Sequence, residues 1–291
     1  FAAVARIVGL SPYRVLAICR RYVALALQAA DFGHVRALAI DETSRARGHD
    51  YITLAADAVQ RRVLAVAEGR EAKTIAAIAA ELAEHGCVPE SIESVSIDMS
   101  PAFIKGCADE LPNARITFDK FHVLWHANAA VDKMRRIEQR RDKSLKGMRW
   151  SLLKDRASLK PEAAAELDAL IARMTTVRTA RAWVYKEQLR EILQRKQINV
   201  VRDMLKHWCT CVMRSKVEPM KEVAAMVRRH LEGIVAWAQT RQTNGFLEAL
   251  NGLFQAAKRR ARGFTRFDTI RTVIFLIAGK LDFAAVNPHA R

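Results

Sequence analysis

The chain has 291 residues, with 48 Lys and Arg against 31 Asp and Glu, a formal charge of +17. That length can bury one large core or two smaller ones. The charge favours a polyanionic partner, because each neutralised phosphate releases counterions; ribosomal, membrane-surface and simply basic proteins share it, so alone it does not choose among them. The five cysteines, Cys19, Cys87, Cys107, Cys209 and Cys211, form no Cys-x-x-Cys pair and, being odd in number, no complete disulfide framework, which fits a reducing cytoplasm. The apolar stretch from Thr272 to Gly279 is far short of the ~20 residues that span a bilayer, and no signal peptide is visible, so no membrane is expected. The chain opens at Phe1 in a helical pattern, and a further N-terminal piece is expected ahead of it.

Residues 1 to 34 read as helix, turn, helix. Ala5, Gly9, Leu10 and Val15 suit two short helices meeting at a glycine turn, with Ser11 as N-cap and Pro12 at the first helical position. Arg14, Arg20 and Arg21 decorate the second helix. Two readings stand: the last part of a DNA-binding helix-turn-helix, with Arg14 and Arg20 toward DNA, or an ordinary helical hairpin with a solvated basic face.

From 35 to 140 the pattern switches to strands. Ala37–Asp41, Tyr51–Asp57 and Arg61–Glu68 are short β-prone runs, with Ser44 to Asp50 and the stretch near Gln60 as connections, which is an antiparallel meander. A helix from Ala72 to about Glu84, strand Ser94–Asp98, a helix from Pro101, strand Arg115–Asp119 and a long basic helix from Phe121 follow. This order predicts a mixed sheet with helices on its faces, and in such sheets ligands gather at the carboxyl ends of the parallel strands. Asp41 and Asp98 both fall there. Asp57 ends an antiparallel strand and belongs at the opposite edge, and Glu42 alternates to the other face from Asp41.

Residues 141 to 239 are helical throughout, with Pro161 and Pro219 as boundaries. The basic excess is localised, with twelve basic and four acidic residues from Lys120 to Lys160. Trp150 sits beside Lys146 and Arg149, where base stacking next to phosphate contacts and plain packing are both open.

Residues 240 to 291 carry a late helix with Thr243 as N-cap and Glu248 in its second turn. Glu248, Asn251, Gln255 and Lys258 share a polar stripe, beside an apolar stripe of Leu247, Leu250, Phe254 and Ala257. The helix runs into Lys258-Arg259-Arg260 and Arg262, a phosphate-ready patch. Two acids at strand ends and one on this helix suggest hard oxygen ligands for Mg²⁺ acting on nucleic acid. Asp119, followed by His122, competes as a structural or a catalytic pair. No Gly-rich phosphate loop, Gly-x-Ser-x-Gly elbow or His-Glu-x-x-His is present.

Ile40-Asp41-Glu42-Thr43-Ser44, Ser96-Ile97-Asp98-Met99-Ser100-Pro101-Ala102-Phe103, Thr117-Phe118-Asp119-Lys120-Phe121-His122-Val123, and Thr243-Asn244-Gly245 with Glu248, Asn251 and Lys258-Arg259-Arg260-Ala261-Arg262-Gly263 resemble the ISL-three group of bacterial insertion-sequence transposases. The resemblance runs in order from about residue 35 to 280. It implies an α/β fold: an RNase-H-like mixed sheet with flanking helices, interrupted by an all-helical insertion and preceded by a partial helix-turn-helix. It also implies an Asp-Asp-Glu triad of Asp41, Asp98 and Glu248 that binds Mg²⁺, with Mn²⁺ as a substitute, and Asp119, His122 and Asn251 in support. The implied reaction is hydrolysis at the element's ends and attack of the freed 3′-hydroxyl on target DNA. The implied partners are double-stranded DNA at the ends and the target, and further copies of the chain, in a bacterial cytoplasm at the nucleoid. The family usually begins with a cysteine-rich zinc-binding segment, of which this chain has only the tail. The alternatives are a non-catalytic DNA-binding regulator, an inactive truncated remnant, or a nuclease of the same fold that makes no strand transfer.

Overall fold

The computed structural model describes residues 1–46, 48–264 and 266–288. Arg47, within the predicted connection after the first strand, lies outside the described residues. The chain divides into two compact units, Phe1–Ile116 with Gln242–Arg291, and Thr117–Arg241.

The first unit opens with α1 (Ala2–Val8), which stops at Gly9 with φ 67°, a left-handed turn that costs least without a Cβ. Ser11 then caps α2 (Pro12–Gln28) by accepting from the Arg14 amide at 3.2 Å, with Pro12 in the first turn where its missing N–H costs nothing. The two helices are bent by 100°. Among the described residues no single helix is long and apolar enough to cross a membrane.

Three strands form the meander: β1 (Ala37–Ala46), β2 (Asp50–Asp57) and β3 (Arg62–Glu68). β1 runs five residues further than the predicted strand Ala37–Asp41, because Ser44 still pairs with Tyr51 and Ala46 with Asp50 across a bulge. Pairing with β2, rather than hydrophobic alternation, sets that length. Next come α3 (Ala72–Glu84), β4 (Ser94–Ile97), α4 (Pro101–Glu110) and β5 (Arg115–Phe118). The sheet order is β3-β2-β1-β4-β5, with β1 antiparallel to β2 and parallel to β4. Four consecutive residues of β1, Ala37 to Ile40, are buried, as are Val63 to Val66 in β3, so both faces of the sheet are covered.

After the second unit the chain returns with α12 (Gly245–Arg260), which packs on β1, and α13 (Phe267–Ala278), which packs on β3, α12 and α2. α3 packs against α4 so closely at Gly106 that a Cβ there would lie 2.7 Å from Ile75 Cγ1 and 3.0 Å from the Ala72 carbonyl. Gly106→Ala is therefore expected to destabilise the protein by ~1–3 kcal/mol, read as a lower urea midpoint at unchanged slope. An unchanged midpoint would mean the two helices separate at no cost.

The second unit is helical apart from the end of β5. It comprises α5 (Lys120–Glu138), α6 (Arg149–Leu153), α7 (Pro161–Ile171), α8 (Arg178–Ile192), α9 (Ile198–Met213), α10 (Glu218–Arg229) and α11 (Leu231–Thr240). α5 packs on α8, α10 and α6, and α9 on α8, α10 and α11. Pro161 and Pro219 lie in the first turns of α7 and α10, as their fixed φ requires. The buried Lys186 ammonium is satisfied by the Leu152 carbonyl and the Glu187 carboxylate, each at 2.7 Å.

Candidate active site

The parallel pairing of β1 with β4 sets the geometry of the acids. Ala37 pairs with Ser94, Leu38 with Val95 and Ala39 with Ser96. Carried two residues on, that register brings Asp41 level with Asp98, the residue just past β4, and equal offset puts both toward one face. The Asp98 Oδ1 accepts from the Ser100 amide at 2.9 Å, a turn that starts α4. The Asp41 Oδ1 accepts from the Glu42 amide, also at 2.9 Å.

α12 is bound along the end of β1 by a row of polar side chains. Asn244, buried, donates to the Ile40 carbonyl at 3.1 Å, and Asn251 donates to Asp41 Oδ2 at 3.0 Å. Gln255 donates to Thr43 Oγ1 at 3.0 Å and the Ser44 carbonyl at 2.8 Å. Lys258 Nζ donates to the carbonyls of Ser44 and Arg45 at 2.9 and 3.2 Å. Leu247, Leu250 and Phe254 bury the adjacent stripe. Glu248 is one turn from Asn251, so the helix carries it to the Asp41 end of the strand. It stands in the first turn, not the second, because Asn244 rather than Thr243 is the N-cap. The Thr243 hydroxyl instead accepts from the Gly245 amide at 3.1 Å.

Burial, then the neighbouring charges of Glu42, Asp98 and Glu248, push Asp41 up to about 7, only partly offset by the Glu42 amide. Carboxylates distant in sequence thus act on Asp41. Glu42, placed across the strand by alternation, still weighs more on Asp41 than either distant acid. Among the described residues no three His, Cys, Asp or Glu side chains close into a metal-binding group. In chemistry the donors suit a hard divalent cation, being all carboxylate oxygens, and the gathered negative charge is of the sign such an ion relieves.

The remaining predicted site residues lie as follows. Asp57 is buried at the hairpin end, accepting from the Val59 and Gln60 amides at 2.8 and 2.9 Å, which is a structural role. Arg14 is exposed on α2, whereas Arg20 turns inward to donate to Thr269 Oγ1 on α13 at 3.3 Å. Arg259, Arg260 and Arg262 are exposed at the end of α12, while Lys258 is occupied by strand carbonyls. Burial and the adjacent Arg259 hold the Lys258 ammonium below the usual lysine range. In the second unit Asp119 is fully buried and caps α5 by accepting from the Phe121 amide at 2.9 Å. His122 Nε2 is buried without a hydrogen-bond partner. Lys146, Arg149 and Trp150 are exposed in the same unit.

Sequence reasoning missed Asn244 as a tether and the double role of the α12 stripe. A signal was present, since Asn244 extends the 248, 251, 255, 258 series by one step of four, but a capping role competes for the same residue.

The chain is thus a mixed α/β protein with Asp98 just past the carboxyl end of β4, Glu248 on α12 and a basic end to that helix; Asp41, expected at the end of its strand, lies in the middle of β1 because pairing with β2 carries that strand on to Ala46. It belongs to the ISL3 family of transposases: the family model, described as "Transposase", matches residues 38–274. It is 27% identical over 270 residues to the transposase for insertion sequence element IS1001 of Bordetella parapertussis, covering 90% of this chain and 66% of that protein. It is 28% identical over 265 residues to the transposase for insertion sequence element IS1557 of Mycobacterium tuberculosis, covering 80% of this chain and 58% of that protein. The chain therefore spans just under two thirds of the first relative's length and less than three fifths of the second's.

Proposed function

We propose that this chain carries the catalytic centre of a DDE transposase, with an RNase-H-like sheet interrupted by a helical insertion. It performs Mg²⁺-dependent cleavage of DNA at the ends of an insertion sequence, and the freed 3′-hydroxyl then attacks a phosphodiester of target DNA, joining to its phosphorus as the target's own 3′-oxygen leaves. Two observations support this reading: the parallel register of β1 with β4, which runs toward Asp41 and Asp98, and the effect of the Asp98 and Glu248 charges on Asp41. Asp41 and Asp98 would hold Mg²⁺ and Glu248 would complete its shell, with Mn²⁺ a substitute. When bound, such ions activate the attacking oxygen and offset charge on the leaving one. Asn251 fixes the Asp41 carboxylate through its 3.0 Å hydrogen bond, and Gln255 and Lys258 keep the strand end from shifting under it. Asp119 and His122 support the fold of the catalytic region. Arg259, Arg260, Arg262 and Arg14 bind DNA phosphates. The working form is an assembly of several copies on the element's ends, in the bacterial cytoplasm at the nucleoid.

The test incubates the protein and its Glu248→Ala variant with Mg²⁺ and supercoiled plasmid carrying the gene's own flanking DNA. Breaks at the element's ends made by the wild type and not by the variant are expected. Cleavage surviving in the variant would remove Glu248 from the triad, and binding without breaks from either protein would favour a regulator or an inactive remnant.

Arg259→Ala with Arg260→Ala is expected to weaken duplex binding and to flatten its salt dependence by about two phosphates' worth. Lys258→Ala, whose ammonium holds strand carbonyls, is expected instead to lower the unfolding free energy by ~1 kcal/mol with little change in salt slope. The reverse assignment, from binding titrations across salt and from urea melts, would put the phosphate contact on Lys258.

A further inference from the structure

One side-chain cluster in the second unit has no part in the chemistry above. Asp132 on α5 is buried, and its carboxylate gathers three arginines. Arg135, itself buried, donates to Oδ1 through Nε at 2.9 Å and Nη2 at 2.8 Å. Arg136 approaches Oδ2 at 3.1 Å and Arg149 at 3.8 Å. One acid thus holds three cations, a local excess of two positive charges. Two of those cations face solvent, with side chains 68% exposed at Arg136 and 54% at Arg149.

Arg149 also lies over the indole of Trp150, its guanidinium carbon 5.0 Å from the ring centroid. Trp150 is 59% exposed, although a tryptophan gains most by burial. The segment is fixed beneath it, because Leu145, Met148 and Leu152 are buried while Lys146, Arg149 and Trp150 point outward. The result is an outward aromatic plane, held on a rooted segment and bordered by pre-oriented guanidinium groups. A flat π-face beside anchored cations takes an unpaired base with its phosphate. A duplex, whose bases are stacked internally, offers such a plane nothing to stack on.

We propose that this surface binds single-stranded DNA, one unpaired base stacking on Trp150 and a flanking phosphate taken by the outward N–H groups of Arg136 and Arg149. The inference rests on the reading of the chain as a DNA-acting protein, and extends it to a site that takes DNA in its unpaired form. Arg149 does two things there, steadying the indole and contributing a phosphate donor.

The test measures binding of the full chain to labelled oligothymidylate and to a duplex of the same length, by fluorescence anisotropy across a salt series. Trp150→Ala is expected to weaken oligothymidylate binding roughly tenfold and duplex binding by less than about twofold. Trp150→Phe, which keeps a ring, should fall between, with unchanged far-ultraviolet circular dichroism for both variants. Arg136→Ala should reduce the single-strand salt slope by about one phosphate's worth. Equal losses on both DNAs, no loss on either, failure of the wild type to bind oligothymidylate, or tighter binding of oligouridylate would each overturn the proposal. If element ends are cut normally and Trp150→Ala binds single strands like wild type, this inference fails and the transposase reading stands. If neither cutting nor any DNA binding is found, both fail.

Discussion

Asp98→Ala is expected to abolish strand cleavage, by at least ~10³-fold, while leaving salt-sensitive duplex binding in place. The reasoning begins with register. Asp98 is level with Asp41 because β1 and β4 pair in parallel from Ala37 with Ser94 to Ala39 with Ser96. Its carboxylate is half-buried just beyond the last strand residue, where removing it leaves the apolar core intact. The basic end of α12, at Arg259 and Arg260, is a separate surface feature, so phosphate contacts should survive. Asp98→Asn is the sharper control, since an amide oxygen can still accept from the Ser100 N–H that Asp98 now engages at 2.9 Å. The same loss of cleavage in both variants assigns the effect to the charge. Loss of binding together with cleavage would show instead that Asp98 shapes the DNA surface, and near-normal cleavage by Asp98→Asn would remove it from the metal-holding set.

Asp41→Asn is expected to stabilise the protein at pH 8 in metal-free buffer, by on the order of 2–4 kcal/mol. Folding pushes Asp41 from its ordinary 3.8 up to about 7, chiefly by burial and next by Glu42, Asp98 and Glu248. A carboxyl whose folded pKa is raised costs nothing below the unfolded value, where it is protonated in both states. The cost grows as pH rises from about 4 towards 7 and is complete above that. The wild type should therefore lose stability across that window, and the variant should not show this loss. The amide is tolerated on geometric grounds. Asn251 Oδ1 is buried without a partner, so a flip of that amide lets it accept from the introduced carboxamide, while the Glu42 amide keeps its acceptor. Added Mg²⁺ should narrow the gap at pH 8 by stabilising the wild type alone. Urea unfolding at pH 4 and pH 8, with and without Mg²⁺, tests this. A variant less stable at pH 8, or a gap equal at both values, would mean Asp41 is not held charged against its surroundings.

Much of the first unit was legible in the residues because its signals are local. The β-prone runs 37–41, 51–57 and 61–68 marked the meander, Glu84 before Gly86 ended α3, and Pro101 opened α4 where expected. The carboxyl ends of two parallel strands pointed to Asp41 and Asp98, and helical spacing put Glu248 and Asn251 on one stripe. Local reasoning did not show which groups also have distant partners. Lys258 reads as a phosphate ligand until the carbonyls of Ser44 and Arg45, more than two hundred residues away in sequence, are found beneath it. Arg20 reads as a DNA contact on a basic helix face, yet α13 supplies Thr269 and turns it inward. Trp150 left both packing and stacking open, because burial of a single indole depends on what the fold lays over it.

The sequence by itself determined the elements of the first unit and their order, since hydrophobic periodicity, caps and residue type act within a few residues of the chain. Only the tertiary structure decided the rest: that β1 continues to Ala46, that Asp41 and Asp98 stand level, and that Asn244, Asn251, Gln255 and Lys258 together bind α12 to that strand. Each of these depends on pairing between segments far apart along the chain, and a hydrogen bond or a burial cost is fixed only when its second partner arrives.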